Sequence, residues 1–290
     1  MLQNERTKHM NPIYSGKVRD IYDISDGRLV IVTTDRISAF DVVLPEKIPG
    51  KGIALNKIAD FWFGRTRGIV KNHLISTDTR DMPEFFRKEE FRDRAALVRK
   101  LDILPFEFIA RGYIFGSMWR AYEEVRPFCG TKITGEYELA QKLDAPIVTP
   151  STKTDTGHDE YIPISDVRNR IGAELTDKIT DISMRLYAEC GEYALSRGII
   201  IADAKFEFGL DKNGELVLAD EIFTPDSARF WRADEYRTGV SPASYDKQVL
   251  RDWLQDNKKD GEYQFGNVPG EVLEKTGRIY GECLRRITGA

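Results

Sequence analysis

Residues 198–220, GIIIADAKFEFGLDKNGELVLAD, constrain this chain more than any other stretch. Two alternating runs flank Asn213-Gly214, a dipeptide that joins antiparallel strands. With those two residues as the turn, Lys212 is expected opposite Glu215, Gly209 opposite Leu218, and Glu207 opposite Asp220. Side chains alternate with period two. Asp203, Lys205 and Glu207 therefore share one face of the first strand, and Ala202, Ala204, Phe206 and Phe208 the other. The apolar set suits a core. The polar set gathers charge on one side of one hairpin, and like charges directly opposite each other repel unless something neutralises them. A divalent cation bound through oxygen ligands does so, and Mg²⁺ on nucleotide phosphates is a common case. The plainer alternative is a solvated polar face in which Lys205 balances its neighbours.

A chain of 290 residues holds one large domain or two lobes with ample core. A net charge of -4 gives no electrostatic reason to expect nucleic acid or an anionic membrane as partner. The opening residues, MLQNERTKHM, lack the apolar centre of a signal peptide, and no apolar run is long enough to span a bilayer. Cys129, Cys190 and Cys283 lie far apart without CxxC spacing, and His9, His73 and His158 are equally scattered. That pattern argues against a disulfide framework or a zinc site and fits a reducing cytoplasm.

Along the chain, the first hundred residues read as β-rich. Residues 17–24 and 28–34 alternate around Asp26-Gly27, a second hairpin signal. Residues 53–66 read as a helix with Ile53, Ile58, Phe61 and Trp62 on one stripe. Residues 95–98 and 106–110 are strand candidates, and RKLDILP between them reads as a hinge between lobes. Helices are expected over 164–175 and 176–197, capped by Ser165 and Thr176, and again over 245–257 and 271–287. The polar segment 150–163 has the composition of a lid, or of a surface connector with no role.

Three further segments carry chemistry. In Tyr14-Ser15-Gly16-Lys17-Val18-Arg19-Asp20, an alternating strand would point Lys17 and Arg19 the same way, and a lysine is a good point charge for a polyphosphate. GxxxxGK[ST] is absent, and an edge strand with solvated basic residues is an equal reading. Arg111, at an apolar strand's end, is followed by a glycine-bearing turn and by Ser117 at a helix start, which together make a reasonable anion site, and a helix N-cap beside a structural salt bridge is an equal reading. Arg229, past the charged hairpin, is placed to reach the same pocket or to lie on the surface.

At this point the residues resemble a family. SGKVRDIY, TTDRISAFD, LPFEFIARGYIFGS, PSTKTDTGHDE, IADAKFEFG and LADEIFTPDSARFW occur in the order seen in phosphoribosylaminoimidazole-succinocarboxamide synthases, the SAICAR synthetases. One departure is Phe115, where the family more usually has a small residue such as threonine. The resemblance implies an α+β fold of two lobes. A small β-rich N-terminal lobe, residues 1–103, would sit over a larger α+β lobe, residues 104–290, related to ATP-grasp enzymes, with the nucleotide in the cleft.

It also implies an ATP- and Mg²⁺-dependent ligase that joins L-aspartate to the carboxylate of an imidazole carboxylate ribonucleotide in purine biosynthesis. By that resemblance Glu207 and Asp220 would hold Mg²⁺ on the phosphates. Lys17, with Arg19 as helper, would contact ATP. Arg111, Ser117 and Arg229 would bind the phosphate and carboxylate groups of the imidazole nucleotide, and Asp203 and Lys205 would orient it. Ser38 and Lys153 are assigned to substrate contact, and Glu107 to a structural place on its strand. The acid hairpin and Lys17 taken alone suit a small-molecule kinase, or a nucleotide-binding protein without turnover, equally well. The oligomeric state stays open.

Overall fold

The computed structural model describes residues 10–40, 42–153 and 160–289. The fold is α+β, and it divides into two compact units, neither of them contiguous in sequence. One takes the chain up to Gly64, residues 73–101 and the chain from Tyr245 on; the other takes residues 65–72 and 102–244.

The first unit holds β1 (Tyr14–Ser15), β2 (Arg19–Asp23), β3 (Arg28–Thr33), β4 (Arg36–Ala39), β5 (Val42–Lys47), α1 (Lys51–Arg65), β6 (Leu74–Ser76) and β7 (Ala95–Arg99). β1, β2, β3, β7 and β6 lie in that order in one antiparallel sheet. The hairpin around Asp26-Gly27 forms, with Ser25, Asp26 and Gly27 all at positive φ. The strand expected over residues 17–24 begins only at Arg19. Ser15 pairs with Asp20 and the Gly16 N–H meets the Arg19 carbonyl at 2.8 Å, so Lys17 and Val18 form the tip of a tight hairpin. Lys17 and Arg19 therefore do not alternate along one strand.

In the second unit β8 (Asp102–Tyr113) is followed by α2 (Ser117–Glu123), β9 (Lys142–Thr152), α3 (Ile164–Ile171), α4 (Ala173–Ser196), β10 (Ile199–Leu210), β11 (Leu216–Ala219) and β12 (Ala228–Arg232). β7 ends at Arg99 and β8 begins at Asp102, so the expected seven-residue connector shrinks to Lys100 and Leu101. Pro105, which has no N–H to donate, falls where the β8–β10 register shifts. Ser165 and Thr176 do not cap their helices. Pro163 and Gly172 precede α3 and α4, and the Thr176 hydroxyl donates to the Gly172 carbonyl from inside α4. The last two helices, α5 (Gln248–Asp256) and α6 (Gly270–Thr288), belong to the first unit, and Thr276, Tyr280, Cys283 and Ile287 of α6 are buried.

The strand order is β11-β10-β8-β9, and the first half of β10 pairs with β12. One face carries Phe106, Phe108, Phe206 and Phe208, none of them exposed to solvent, and α4 packs on β8, β9 and β10. The β10–β11 hairpin differs from expectation by one residue. Leu210 pairs with Leu216, and Glu207 pairs with Ala219 rather than Asp220. Its loop is Lys212-Asn213-Gly214. The Gly214 N–H reaches the Asp211 carbonyl, the Asp211 N–H reaches Glu215, and Gly214 takes φ 76°. This is the three-residue solution, a type I turn followed by a left-handed glycine. The Asp211 side chain favours it by accepting from the Asn213 and Glu215 N–H groups.

Candidate active site

Three adjacent strands build one polar face. In register across β9, β8 and β10, the first row is Ser151, Glu107 and Glu207; the second is Thr149, Ile109 and Lys205; the third is Ile147, Arg111 and Asp203, extended by Arg229 on β12. Period-two alternation puts all of these on the face away from the phenylalanines.

At the acid end, Glu107 and Glu207 lie directly opposite each other and are 8% and 3% exposed. Such a like-charge pair needs counter-charge. The Lys205 ammonium supplies it, donating to Glu107 Oε1 at 2.5 Å and to Glu207 Oε1 at 3.3 Å. Lys153 donates to Glu207 Oε2, and the Ser151 hydroxyl to Glu107 Oε2 at 3.2 Å. Burial, and then the charge of Asp220, push the Glu207 carboxyl up, against the pull of Lys205 and Lys153. Burial works to lower both lysines, but the charges of Glu207, Asp220 and, for Lys205, Glu107 outweigh it and hold both above their ordinary value. Asp220 sits past the end of β11 with φ 62°, a conformation that aspartate tolerates better than most residues. Asp220 is not the cross-strand partner of Glu207, and its charge acts on Glu207 from beyond the strand end.

At the other end two arginines converge on one carboxylate. Arg111, only 2% exposed, donates from Nη1 to Asp203 Oδ2 at 3.1 Å and from Nε to Thr149 Oγ1 at 2.9 Å. Its guanidinium lies 5.2 Å from the Phe128 ring centroid and 5.5 Å from that of Tyr161. Arg229 Nη1 binds the same Asp203 oxygen. Ser117 donates to the Tyr161 hydroxyl at 2.9 Å, which ties it to the same cluster. Two guanidiniums against one carboxylate leave a net positive end, suited to an anion.

The structure thus brings together Arg111, Asp203 and Arg229, with Ser117 through Tyr161, at one end, and Lys153, Lys205, Glu207 and the charge of Asp220 at the other. Lys17, Arg19 and Ser38 belong to the first unit. Lys17 is exposed at its hairpin tip, Arg19 opens β2, and Ser38 is buried on β4 opposite Val43. Residues 154–159 of the segment expected to form a lid lie outside the described residues. Among the described residues, no group of three or more His, Cys, Asp and Glu side chains is gathered to hold a metal ion. Sequence reasoning missed Glu107 as a partner in the site, and with it Ser151, Thr149 and Tyr161. The signal for Glu107 was present, because in LPFEFIARGY it alternates in phase with Arg111.

Residues 12–268 match the family model described as SAICAR synthetase. A phosphoribosylaminoimidazole-succinocarboxamide synthase of Lachnospira eligens is 48% identical over 285 residues, covering 96% of this chain and 95% of its own length. One of Cupriavidus metallidurans is 47% identical over 280 residues, covering 94% and 93%. Among solved structures, a SAICAR synthase from Saccharomyces cerevisiae complexed with SAICAR has a TM-score of 0.89 at 39% identity, covering 97% of this chain and 95% of its own. A SAICAR synthetase in complex with ADP has a TM-score of 0.70 at 27% identity, covering 96% and 97%. With the family model spanning most of the chain and relatives this similar over nearly their full length, the chain belongs to the SAICAR synthetase family, ligases that catalyse the aspartate-dependent step of purine biosynthesis.

Proposed function

We propose that this chain joins L-aspartate to the carboxylate of the imidazole carboxylate ribonucleotide and converts ATP to ADP and phosphate. The observation that carries the reading is the polarity of one sheet face, with a paired-arginine end for an anionic substrate and a carboxylate–lysine end for a nucleotide and its cation. A carboxylate is a poor acyl donor, because its leaving group would be oxide. Attack of a carboxylate oxygen on the γ-phosphorus, with ADP leaving, gives an acyl phosphate. The aspartate amine then attacks the acyl carbon, phosphate leaves, and the amine gives up a proton. Such transfer asks the protein for positioning and charge neutralisation rather than for covalent help.

Arg111, Arg229 and Ser117 bind the anionic groups of the imidazole nucleotide. Asp203 holds the two guanidiniums together, and Lys205 orients the reacting carboxylate. Lys17, Arg19, Ser38 and Lys153 complete the substrate contacts. Glu207 and Asp220 both offer carboxylate oxygens of the kind a hard divalent cation takes, beside the two lysines that already oppose the Glu207 charge. Those carboxylates would hold Mg²⁺, which would supply positive charge to neutralise the polyphosphate. A two-lobe arrangement related to ATP-grasp enzymes, with ATP in the cleft, belongs to the same proposal. The test is ADP release with each substrate omitted in turn. Release of product that requires all of ATP, L-aspartate and the imidazole carboxylate nucleotide supports the reading. Full ADP release and a phosphorylated product without aspartate would make the chain a kinase.

A further inference from the structure

The two arginines of the anion end are held by different means. Arg111 is clamped by Asp203 and Thr149 and is nearly out of solvent. Arg229 is 37% exposed, and besides Asp203 it has an aromatic neighbour: its guanidinium carbon lies 5.6 Å from the Phe115 ring centroid. The next residue makes room for that approach. A Cβ at position 116 would lie 2.6 Å from Arg229 Nη2 and 2.9 Å from Cζ, and Gly116 takes φ 60°. The ring is itself fixed. Phe115 meets Trp231 edge-on at 5.2 Å, within an aromatic group that includes Tyr113 and Tyr236, and Trp231 is 1% exposed. Arg229 and Trp231 are two residues apart on β12, so one ring can touch both.

We propose that Phe115 is a positioning residue for substrate affinity: its ring, with the bare backbone of Gly116, holds the Arg229 guanidinium in the orientation that receives the anionic group of the imidazole nucleotide. The inference rests on the reading of Arg229 as a substrate ligand. A long, partly exposed arginine loses rotamer freedom on binding an anion. A ring under its π face takes up part of that loss beforehand, and the interaction is worth a few-fold in affinity. Threonine, leucine or methionine at position 115 offers no such face.

The experiment compares Phe115→Leu, Phe115→Tyr and Arg229→Lys by steady-state kinetics in all three substrates, with melting temperatures as a check on folding. Phe115→Leu should raise KM for the imidazole carboxylate nucleotide roughly two- to fivefold. It should leave kcat and the KM values for ATP and aspartate unchanged, the signature of lost uniform binding. Phe115→Tyr, which keeps the π face, should restore the parental KM. In an Arg229→Gln background, which leaves no cation over the ring, Phe115→Leu should add nothing. A parental KM in Phe115→Leu beside a raised KM in Arg229→Lys would refute the role of Phe115 and leave Arg229 as a ligand. A parental KM in Arg229→Lys would refute the ligand reading and the inference with it. If Phe115→Tyr were as impaired as Phe115→Leu, the ring face would not be what matters. Should Phe115→Leu fail to fold, Phe115→Met fills the gap with a flexible chain and serves the same comparison.

Discussion

Gly112→Ala tests how the sheet aims its charged residues. Gly112 lies on the α4 side of β8, and a Cβ there would sit 2.1 Å from the Tyr187 hydroxyl and 2.9 Å from its Cζ. That hydroxyl is not idle. It donates to the Ile201 carbonyl at 2.6 Å, with the Ala202 carbonyl at 3.3 Å, where the register of β10 against β12 shifts by one residue. A bulge leaves backbone groups outside the ladder, and here a tyrosine from α4 satisfies one of them. Burial pushes the Tyr187 phenol's pKa up, so it stays a donor. The bulge comes immediately before Asp203 and so sets where that carboxylate meets the two arginines.

The magnitude follows from two losses. Displacing the hydroxyl forfeits a buried hydrogen bond, about 1 kcal/mol. Forcing a methyl group into a packed site costs about 1–3 kcal/mol. Gly112→Ala should therefore destabilise by about 2–4 kcal/mol, read as a lower urea midpoint at constant slope. Tyr187→Phe alone should cost about 1 kcal/mol. In the double variant the closest clashing atom is gone, so its cost should fall well short of the sum and be no greater than that of Gly112→Ala alone. A loss below about 0.5 kcal/mol for Gly112→Ala, or strict additivity in the double variant, would refute the steric argument.

Glu207→Gln and Asp220→Asn should each lower kcat by roughly two orders of magnitude, the scale of lost charge neutralisation at a transferring phosphoryl group, with the fold retained by circular dichroism. The Glu207 carboxyl is raised in the folded state, so its contribution to stability is complete below its ordinary value of 4.5 and is lost as pH rises through the elevated value. The stability of the ligand-free parent relative to Glu207→Gln should accordingly fall as pH rises from about 4.5 towards neutrality; a relative stability that rises over that range would contradict the sign. Lys17→Ala should raise KM for ATP several-fold with little change for the imidazole nucleotide, and equal rises for both would undo its assignment. Gly214→Ala, at φ 76°, should cost about 1–2 kcal/mol in urea denaturation.

The sequence made the faces of β8 and β10 legible because alternation is a local property. Phe206, Phe208, Lys205 and Glu207 fall where period two places them, and so do Glu107 and Arg111. The neighbours of those strands were not legible. That Glu107 faces Glu207, or that Thr149 receives Arg111 Nε, depends on which distant strands pair, and nothing within ten residues of either position states it. Helix existence was readable from apolar spacing, whereas the caps were not. Ser165 and Thr176 have capping chemistry, but Pro163 and Gly172 supply the entry geometry first.

The hairpin register separates what the site owes to each kind of information. Asn213-Gly214 favours a two-residue turn, yet Asp211 binds two N–H groups across the loop and selects the three-residue form. A slip of one residue moves every side chain of the second strand to the opposite face. On an extended backbone that slip would carry Asp220 away from Glu207. β11 ends at Ala219 and Asp220 turns left-handed, so strand alternation no longer governs Asp220, and its charge still acts on Glu207. The acid end therefore rests on two separable features, the register of β8 against β10 for Glu107 and Glu207, and a single strained φ for Asp220. Left-handed backbone at a non-glycine residue costs on the order of 1 kcal/mol, and such strain concentrates where a side chain must be aimed. Asp220→Gly should relieve that strain and remove the charge together. Asp220→Asn keeps the backbone preference and loses only the charge, so comparing the two divides the stability cost of aiming this carboxylate from the cost of its repulsion with Glu207.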